Sequence, residues 1–192
     1  MFDIEKIDVV VNQFIDVKQE TSIENYWNNV AEVITQTLGF YFAGIYLSDS
    51  NNKFVVFKGG SGEAGKAFLK IGHKCKIVNG KNQSWHAGTA VYSNEIQLIN
   101  WAKGEILGYQ IMERKVVNRN FLAKIGKFWS PQLPLTQGEL FIPIQTNHKI
   151  IGILEINLDV EPKFSEEEIV KLCSLADHIA SISRGKLGVD NL

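Results

Sequence analysis

The chain has 192 residues, the length of one ordinary domain with terminal additions and too short for two full cores. Hydrophobic residues make up 45% and charged residues 21%, enough apolar surface to offset the entropy of folding, which excludes global disorder. The 20 Lys and Arg against 21 Asp and Glu give a net charge of -1, so the chain has no field to attract nucleic acid or an anionic membrane, and neither is an expected partner.

Cys75 and Cys173 are the only cysteines, and neither belongs to a closely spaced zinc or redox pair, so no metal site and no disulfide framework is expected. The first residues lack the basic, apolar and small-residue succession of a secretory signal, and no apolar run reaches the roughly 18 residues that span a bilayer. The expectation is a soluble, reduced, cytoplasmic chain.

Residues 1–20 read as an N-terminal helix in which Ile4, Ile7, Val11 and Phe14 recur at spacings of three and four and form one apolar stripe. That stripe suits either a fold-back onto the chain's own domain or a seam for a partner helix, and it carries the expectation of a homodimer. Thr21 and Glu24 make a capping box for a second helix, which sets Trp27, Val30, Ala31, Ile34 and Leu38 on one face before Gly39. Two β-rich runs at 42–48 and 53–58 follow, joined by Asp49, Ser50, Asn51 and Asn52 as a hairpin turn. Beyond the glycines of 59–65, the pattern gives a short helix at 66–70, a strand at 73–77, a short helix at 84–92 and a strand at 96–99.

The stretch 100–134 is expected to contain local helix, because Met112, Val116, Val117, Phe121 and Ile125 fall at roughly helical spacing. Arg114, Lys115, Arg119, Lys124 and Lys127 would form its solvated face. Residues 139–145 and 149–159 make a long hairpin across Thr146, Asn147 and His148, in which Pro143 requires an edge or bulge and Gly152 permits a close backbone approach. Ser165 with Glu168 is a second capping box, with Phe164 and Ile169 as its hydrophobic staple. The last helix then presents Ile169, Leu172, Cys173, Ala176, Ile179 and Ala180 on one face until Gly185.

This order of elements predicts an α+β domain over 21–185, built on a central, mainly antiparallel sheet, with a loose tail at 186–192. The N- and C-terminal helices cover one sheet face, and the other face holds a pocket covered by loops and short helices.

Several ordered motifs carry a family resemblance: Gly62-Glu63-Ala64-Gly65 with Gly72-His73, then Trp85-His86-Ala87, then Pro131, Leu133, Pro134 and Thr136 before Glu139-Leu140-Phe141-Ile142-Pro143-Ile144. The ending is the most specific: Ile150-Ile151-Gly152-Ile153-Leu154-Glu155-Ile156, Phe164-Ser165-Glu166-Glu167 and Leu175-Ala176-Asp177-His178-Ile179-Ala180. From Leu38 to Ile182 the chain resembles a GAF domain, the sensory module of bacterial histidine kinases, cyclic-nucleotide phosphodiesterases, phytochromes and transcription regulators, and most of all the GAF modules of bacterial signalling histidine kinases. The resemblance implies a regulatory domain that binds a small molecule or a partner protein and signals through its terminal helices in a dimer. No kinase, phosphodiesterase or DNA-binding element fits in the leftover residues, so for a full-length chain the expected output is to a separate signalling protein.

The residues themselves name no cofactor and favour no enzyme. In a strand, His73 and Cys75 share a face, so the imidazole can perturb the thiol. Yet a free methionine sulfoxide reductase, an enzymatic GAF relative, needs a second thiol in reach, and Cys173 falls on the apolar face of the last helix. Neither the bilin-attachment motif nor the ordered cyclic-nucleotide signature of other relatives is present. A zinc site built on His73, Cys75 and His86 lacks further ligands. The candidate ligand pocket therefore comprises His73, Cys75, Trp85, His86, Trp101 and Phe128, with Trp129 beside it, and the strand glutamates Glu139 and Glu155. Strand alternation puts Glu155 on a face with Ile151, Ile153 and Asn157, where a buried carboxylate demands a hydrogen-bonding partner. The alternative is a ligand-free interaction module in which the aromatics fill the pocket.

Overall fold

The computed structural model describes residues 3–17, 22–78, 87–125, 130–146 and 149–187. A short turn of 3-10 helix at Ile4–Lys6 leads into α1 (Ile7–Val17), and α2 follows at Ile23–Leu38. Helix α2 is capped by Ser22, whose side chain accepts a hydrogen bond from the Asn25 N–H at 3.0 Å. The expected cap Thr21 lies outside the described residues.

The remaining elements are β1 (Phe42–Ser48), β2 (Phe54–Gly60), α3 (Gly62–Lys70), β3 (Lys74–Lys76), α4 (Ala87–Ser93), β4 (Ile96–Asn100), β5 (Glu105–Met112), β6 (Lys115–Lys124), β7 (Gly138–Thr146), β8 (Lys149–Leu158) and α5 (Glu166–Leu187). The eight strands form one sheet in the order β3-β2-β1-β8-β7-β4-β5-β6, with every neighbouring pair antiparallel. The architecture is α+β, as the order of elements requires.

Alternation along β8 and β7 divides the apolar residues between two cores. On one face, Leu140, Leu154, Ile156 and Leu158 pack with Trp27, Val30 and Ile34 of α2 and Leu172, Ala176 and Ile179 of α5. On the other, Phe141 and Ile153 pack with Phe42, Tyr46, Phe57 and the α4 residues Ala87 and Ala90. Each large side chain buried in this way contributes about 1.5–3 kcal/mol of transfer free energy.

The stripe of the first helix closes on its own domain. Ile4, Ile7 and Phe14 are buried in the same core as α2 and α5, and the fully buried position is Val10, while Val11 is only partly covered. Ile4, Ile7, Val10 and Phe14 are thus used within the chain, while Val9 on the same helix is exposed.

Residues 105–124 form a two-stranded arm, β5 paired with β6, where local helix was expected. Register shifts at Ile106/Leu107 and Gln110/Ile111 interrupt the two-residue period, which explains why the apolar positions imitate helical spacing. The turn between the strands has Glu113 at φ 49° and Arg114 at φ 60°, the two left-handed positions of a type I′ hairpin. Non-glycine residues there cost on the order of 1 kcal/mol each.

A second irregularity lies in the β7–β8 hairpin. Ile144 pairs with Gly152 and Gln145 with Ile150, which leaves Ile151 unpaired. Ile151 consequently joins the helix-side core, not the face of Ile153 and Glu155 that strict alternation gives it. Pro143 pairs with Ile153 beyond Phe141, the last β7 residue with a partner on β4, so its missing N–H falls where the strand is locally an edge. At Gly152, an added Cβ would stand 2.1 Å from the Tyr46 carbonyl oxygen, the close approach expected of that glycine.

Helix α5 opens with both hydrogen bonds of its capping box. The Glu168 N–H donates to Ser165 Oγ at 3.2 Å, and the Ser165 N–H donates to the Glu168 carboxylate at 2.6 Å. The helix continues through Gly185 to Leu187, two residues beyond the expected end.

Candidate functional site

The sheet face opposite α1, α2 and α5 carries a hollow where several chain segments meet. Strand β1 supplies Tyr46, β7 supplies Glu139 and Phe141, β8 supplies Glu155, and α4 supplies Ala87. Cys75 of β3, the preceding His73, Ser130 and Gln132 complete the lining.

His73 is delivered by the end of α3. Gly72 adopts φ 61°, a left-handed conformation open to glycine, and hydrogen bonds from the Gly72 N–H to the Leu69 carbonyl and from the His73 N–H to the Phe68 carbonyl, both 3.0 Å, reverse the chain. The imidazole then stacks on Phe68 at a centroid distance of 5.2 Å and meets Tyr46 edge-on at 5.9 Å. Cys75 Sγ lies 3.7 Å from His73 Nε2. The pair is thus adjacent but not activated: burial lowers the His73 pKa and keeps the ring neutral, while burial, followed by the Glu155 charge, pushes the Cys75 thiol up to about 12.

The two carboxyl groups define the electrostatics. Glu155 is 6% exposed and Glu139 4%. Burial pushes Glu155 up to about 7, opposed by hydrogen bonds from Tyr46 and Asn157 that favour its charged form. Burial and then the neighbouring Glu155 charge push Glu139 up to about 8. The Trp101 indole N–H pulls Glu139 back toward ionisation, although it completes no hydrogen bond of ordinary geometry. Among the described residues, neither glutamate forms an ion pair with Lys or Arg. Burial thus favours the protonated form of both carboxyls, and the hollow they face is about 20 Å³, the room of a single water molecule.

Of the residues singled out from sequence, His73, Cys75, Glu139 and Glu155 converge here. Trp101 is half-buried and packs against the apolar cluster behind the hollow without lining it. Trp85, His86, Phe128 and Trp129 lie outside the described residues. Tyr46 and Asn157 were missed. For Asn157 the signal was present, since it follows Glu155 by two residues on the same strand and stands opposite Glu139. Tyr46 gave no such signal, because a tyrosine within an apolar strand reads as ordinary core. Among the described residues, no three His, Cys, Asp or Glu side chains converge for a metal ion, and no helix is long and apolar enough to cross a membrane.

No protein-family model matches the chain, and no curated protein sequence matches it. Solved structures do. The GAF domain of an Acinetobacter phosphoenolpyruvate-protein phosphotransferase is 16% identical, with 98% of each chain covered and a TM-score of 0.65. The chain has the GAF fold. A phycocyanobilin-bound GAF domain from a cyanobacterial phytochrome is 14% identical over 97% of this chain and 98% of its own, with a TM-score of 0.66. Free methionine-R-sulfoxide reductase from Neisseria meningitidis, solved with its substrate, is 16% identical over 98% and 97%, with a TM-score of 0.64. The same architecture thus occurs in a phosphotransferase's GAF domain, a bilin-bound phytochrome domain and an enzyme, and the fold alone assigns no chemistry to this chain.

Proposed function

We propose that the chain is a non-enzymatic sensory GAF domain whose hollow takes a small molecule bearing an ammonium or similar hydrogen-bond-donating group. The observation that carries this reading is the pair Glu139 and Glu155, two buried carboxyl groups on one sheet face with no Lys or Arg paired to them among the described residues. An uncompensated buried carboxylate is costly, and a cationic donor placed between the two removes that cost. With room of about 20 Å³, a molecule larger than an ammonium ion requires the lining to give way, so occupancy and conformation are coupled.

The route for a signal is short. Glu155 faces the hollow, while its neighbours Leu154 and Ile156 pack beneath α2 and α5, so one central strand is shared by the ligand side and the helix side. A ligand that distinguishes two helix packings shifts them by about 1–3 kcal/mol of coupling. Because the buried α1 stripe is used internally, a homodimer would form through another surface, and the proposed recipient of the output is a separate signalling protein.

Two observations favour other readings. The small size of the hollow suits a ligand-free interaction module. The likeness to the Neisseria enzyme suits a thiol-dependent reductase, against which stand the elevated Cys75 pKa and the position of Cys173 in the core on the opposite face. Native mass spectrometry of freshly purified protein and a thermal-shift series from ammonium upward through small primary amines and free amino acids separate sensor from module. A methionine sulfoxide assay on the wild type and Cys75→Ser tests the enzyme.

A further inference from the structure

The helix side of the sheet holds a larger cavity of about 380 Å³, within the range of about 300–1,000 Å³ usual for small-molecule sites. Its floor is apolar: Ile96 of β4, Ile111 of β5 and Ile142 of β7. One wall is α5, which presents Val170, Cys173, Ser174 and Asp177 at spacings of three, one and three, a single helical flank beside its core face. The β5–β6 arm closes the other side, since β6 reaches back to contact α5.

Two opposite charges sit over this floor. Arg114 comes from the tip of the arm, where both turn residues are held at positive φ, and it forms no ion pair among the described residues. Asp177 stands on the α5 wall, where partial burial raises its pKa and the charges of the adjacent His178 and then of Arg114 oppose that shift; it is ion-paired with neither. Tyr109, which also lines the cavity, has the Arg119 guanidinium over its ring at 5.7 Å, so that second cation is already engaged. A strained turn that aims a free guanidinium at an apolar cavity, with a partly desolvated carboxylate on the opposite wall, is built to receive a molecule with charges of both signs. A phosphate dianion would meet repulsion from Asp177, and a simple amine would leave Arg114 unmatched.

We propose that this cavity is a second ligand site, independent of the Glu139–Glu155 hollow, and that it takes a small apolar zwitterion of the α-amino-acid type. The carboxylate lies on Arg114, the ammonium on Asp177, and the aliphatic body on Ile96, Ile111 and Ile142. Binding there spans the arm and α5 and clamps one against the other.

Methyl NMR of the isoleucines, titrated with norleucine, hexanoate and pentylamine, tests the proposal. The three probes share an aliphatic body and differ in which charges they carry. Norleucine is expected to shift the Ile96, Ile111 and Ile142 methyls saturably, and at least tenfold more tightly than either singly charged probe. Arg114→Gln and Asp177→Asn are each expected to weaken norleucine at least tenfold. Arg114→Lys keeps the turn and the charge and is expected to retain most of the affinity, which separates lost recognition from lost folding, and Glu139→Gln/Glu155→Gln should bind norleucine as the wild type does. Equal affinity for hexanoate and norleucine overturns the zwitterion, absence of saturable shifts at millimolar norleucine overturns the site, and loss in the glutamate double variant with retention in Arg114→Gln assigns the binding to the hollow instead.

Discussion

Glu139 and Glu155 occupy diagonal positions on neighbouring antiparallel strands: Glu139 stands opposite Asn157 and Glu155 opposite Phe141, which brings two acidic side chains onto one buried sheet face. Diagonal neighbours lie about 7–8 Å apart, near enough for one charge to oppose the other in a desolvated site. Burial together with this adjacency opposes ionisation of the pair, and the consequences are measurable.

Stability should depend on pH in a direction opposite to the ordinary carboxylate case. Both folded-state pKa values are raised above 4.5, to about 8 for Glu139 and about 7 for Glu155, so the native state holds protons more tightly than the unfolded chain. Their contribution is full below pH 4.5 and is lost as pH rises through 7 and 8. Chemical denaturation from pH 5 to 9 should show a decline of a few kcal/mol, and Glu139→Gln should flatten it and stabilise the chain at pH 9. A profile that rises over this range in the wild type contradicts the buried, unpaired state of the two groups.

Binding of an ammonium ligand to this pair should release protons. Ionisation of both carboxyls is favoured by the bound cation, so affinity should increase with pH between about 6 and 8 and level off above it. Calorimetry in two buffers of different ionisation enthalpy reads the proton count directly, and a count of zero at pH 7 speaks against carboxylate recognition.

Neither thiol should behave as a nucleophile. Burial pushes both Cys75 and Cys173 up to about 12. At neutral pH the thiolate fraction is then several hundredfold or more below that of an ordinary cysteine, so iodoacetamide should modify the folded chain at least about 100-fold more slowly than the unfolded one. Rapid modification of Cys75 at pH 7 would revive the thiol-enzyme reading. In Glu155→Gln, the Cys75 rate should increase, because a charge that opposes the thiolate is gone.

Phe14→Ala should destabilise the fold of the individual chain. Its ring is 2% exposed in the core shared by α1, α2 and α5, and such truncations cost about 3–5 kcal/mol. The loss should be the same at low and high protein concentration. A loss that vanishes on dilution would show that Phe14 belongs to an interface between chains.

The parts of the fold that the sequence makes legible are those where local chemistry and period agree. The capping box of Ser165 and Glu168, the stripe of α2 and the alternation of Leu154, Ile156 and Leu158 each follow from spacing alone. The β5–β6 arm does not, because its turn uses Glu113 and Arg114 where glycine or asparagine would announce a hairpin, and its register shifts disguise the strand period. The same cause misplaces Ile151. In the candidate site, Glu139 and Glu155 stand out as acidic residues within apolar strands, and His73 with Cys75 follows from alternation. Tyr46 is found only by the pairing of β1 with β8, a long-range relationship that no local pattern encodes. The cavity beside α5 is likewise invisible, since its lining comes from four elements far apart in sequence.

The central claim is that the buried glutamate pair recognises a donor cation, and titration calorimetry of small primary amines at pH 8.5 into the wild type and Glu139→Gln/Glu155→Gln tests it most directly. The account predicts saturable binding of at least one amine by the wild type and a loss of tenfold or more in the double variant. Equal binding by the two proteins, or no amine binding at millimolar concentration by the wild type, would contradict it.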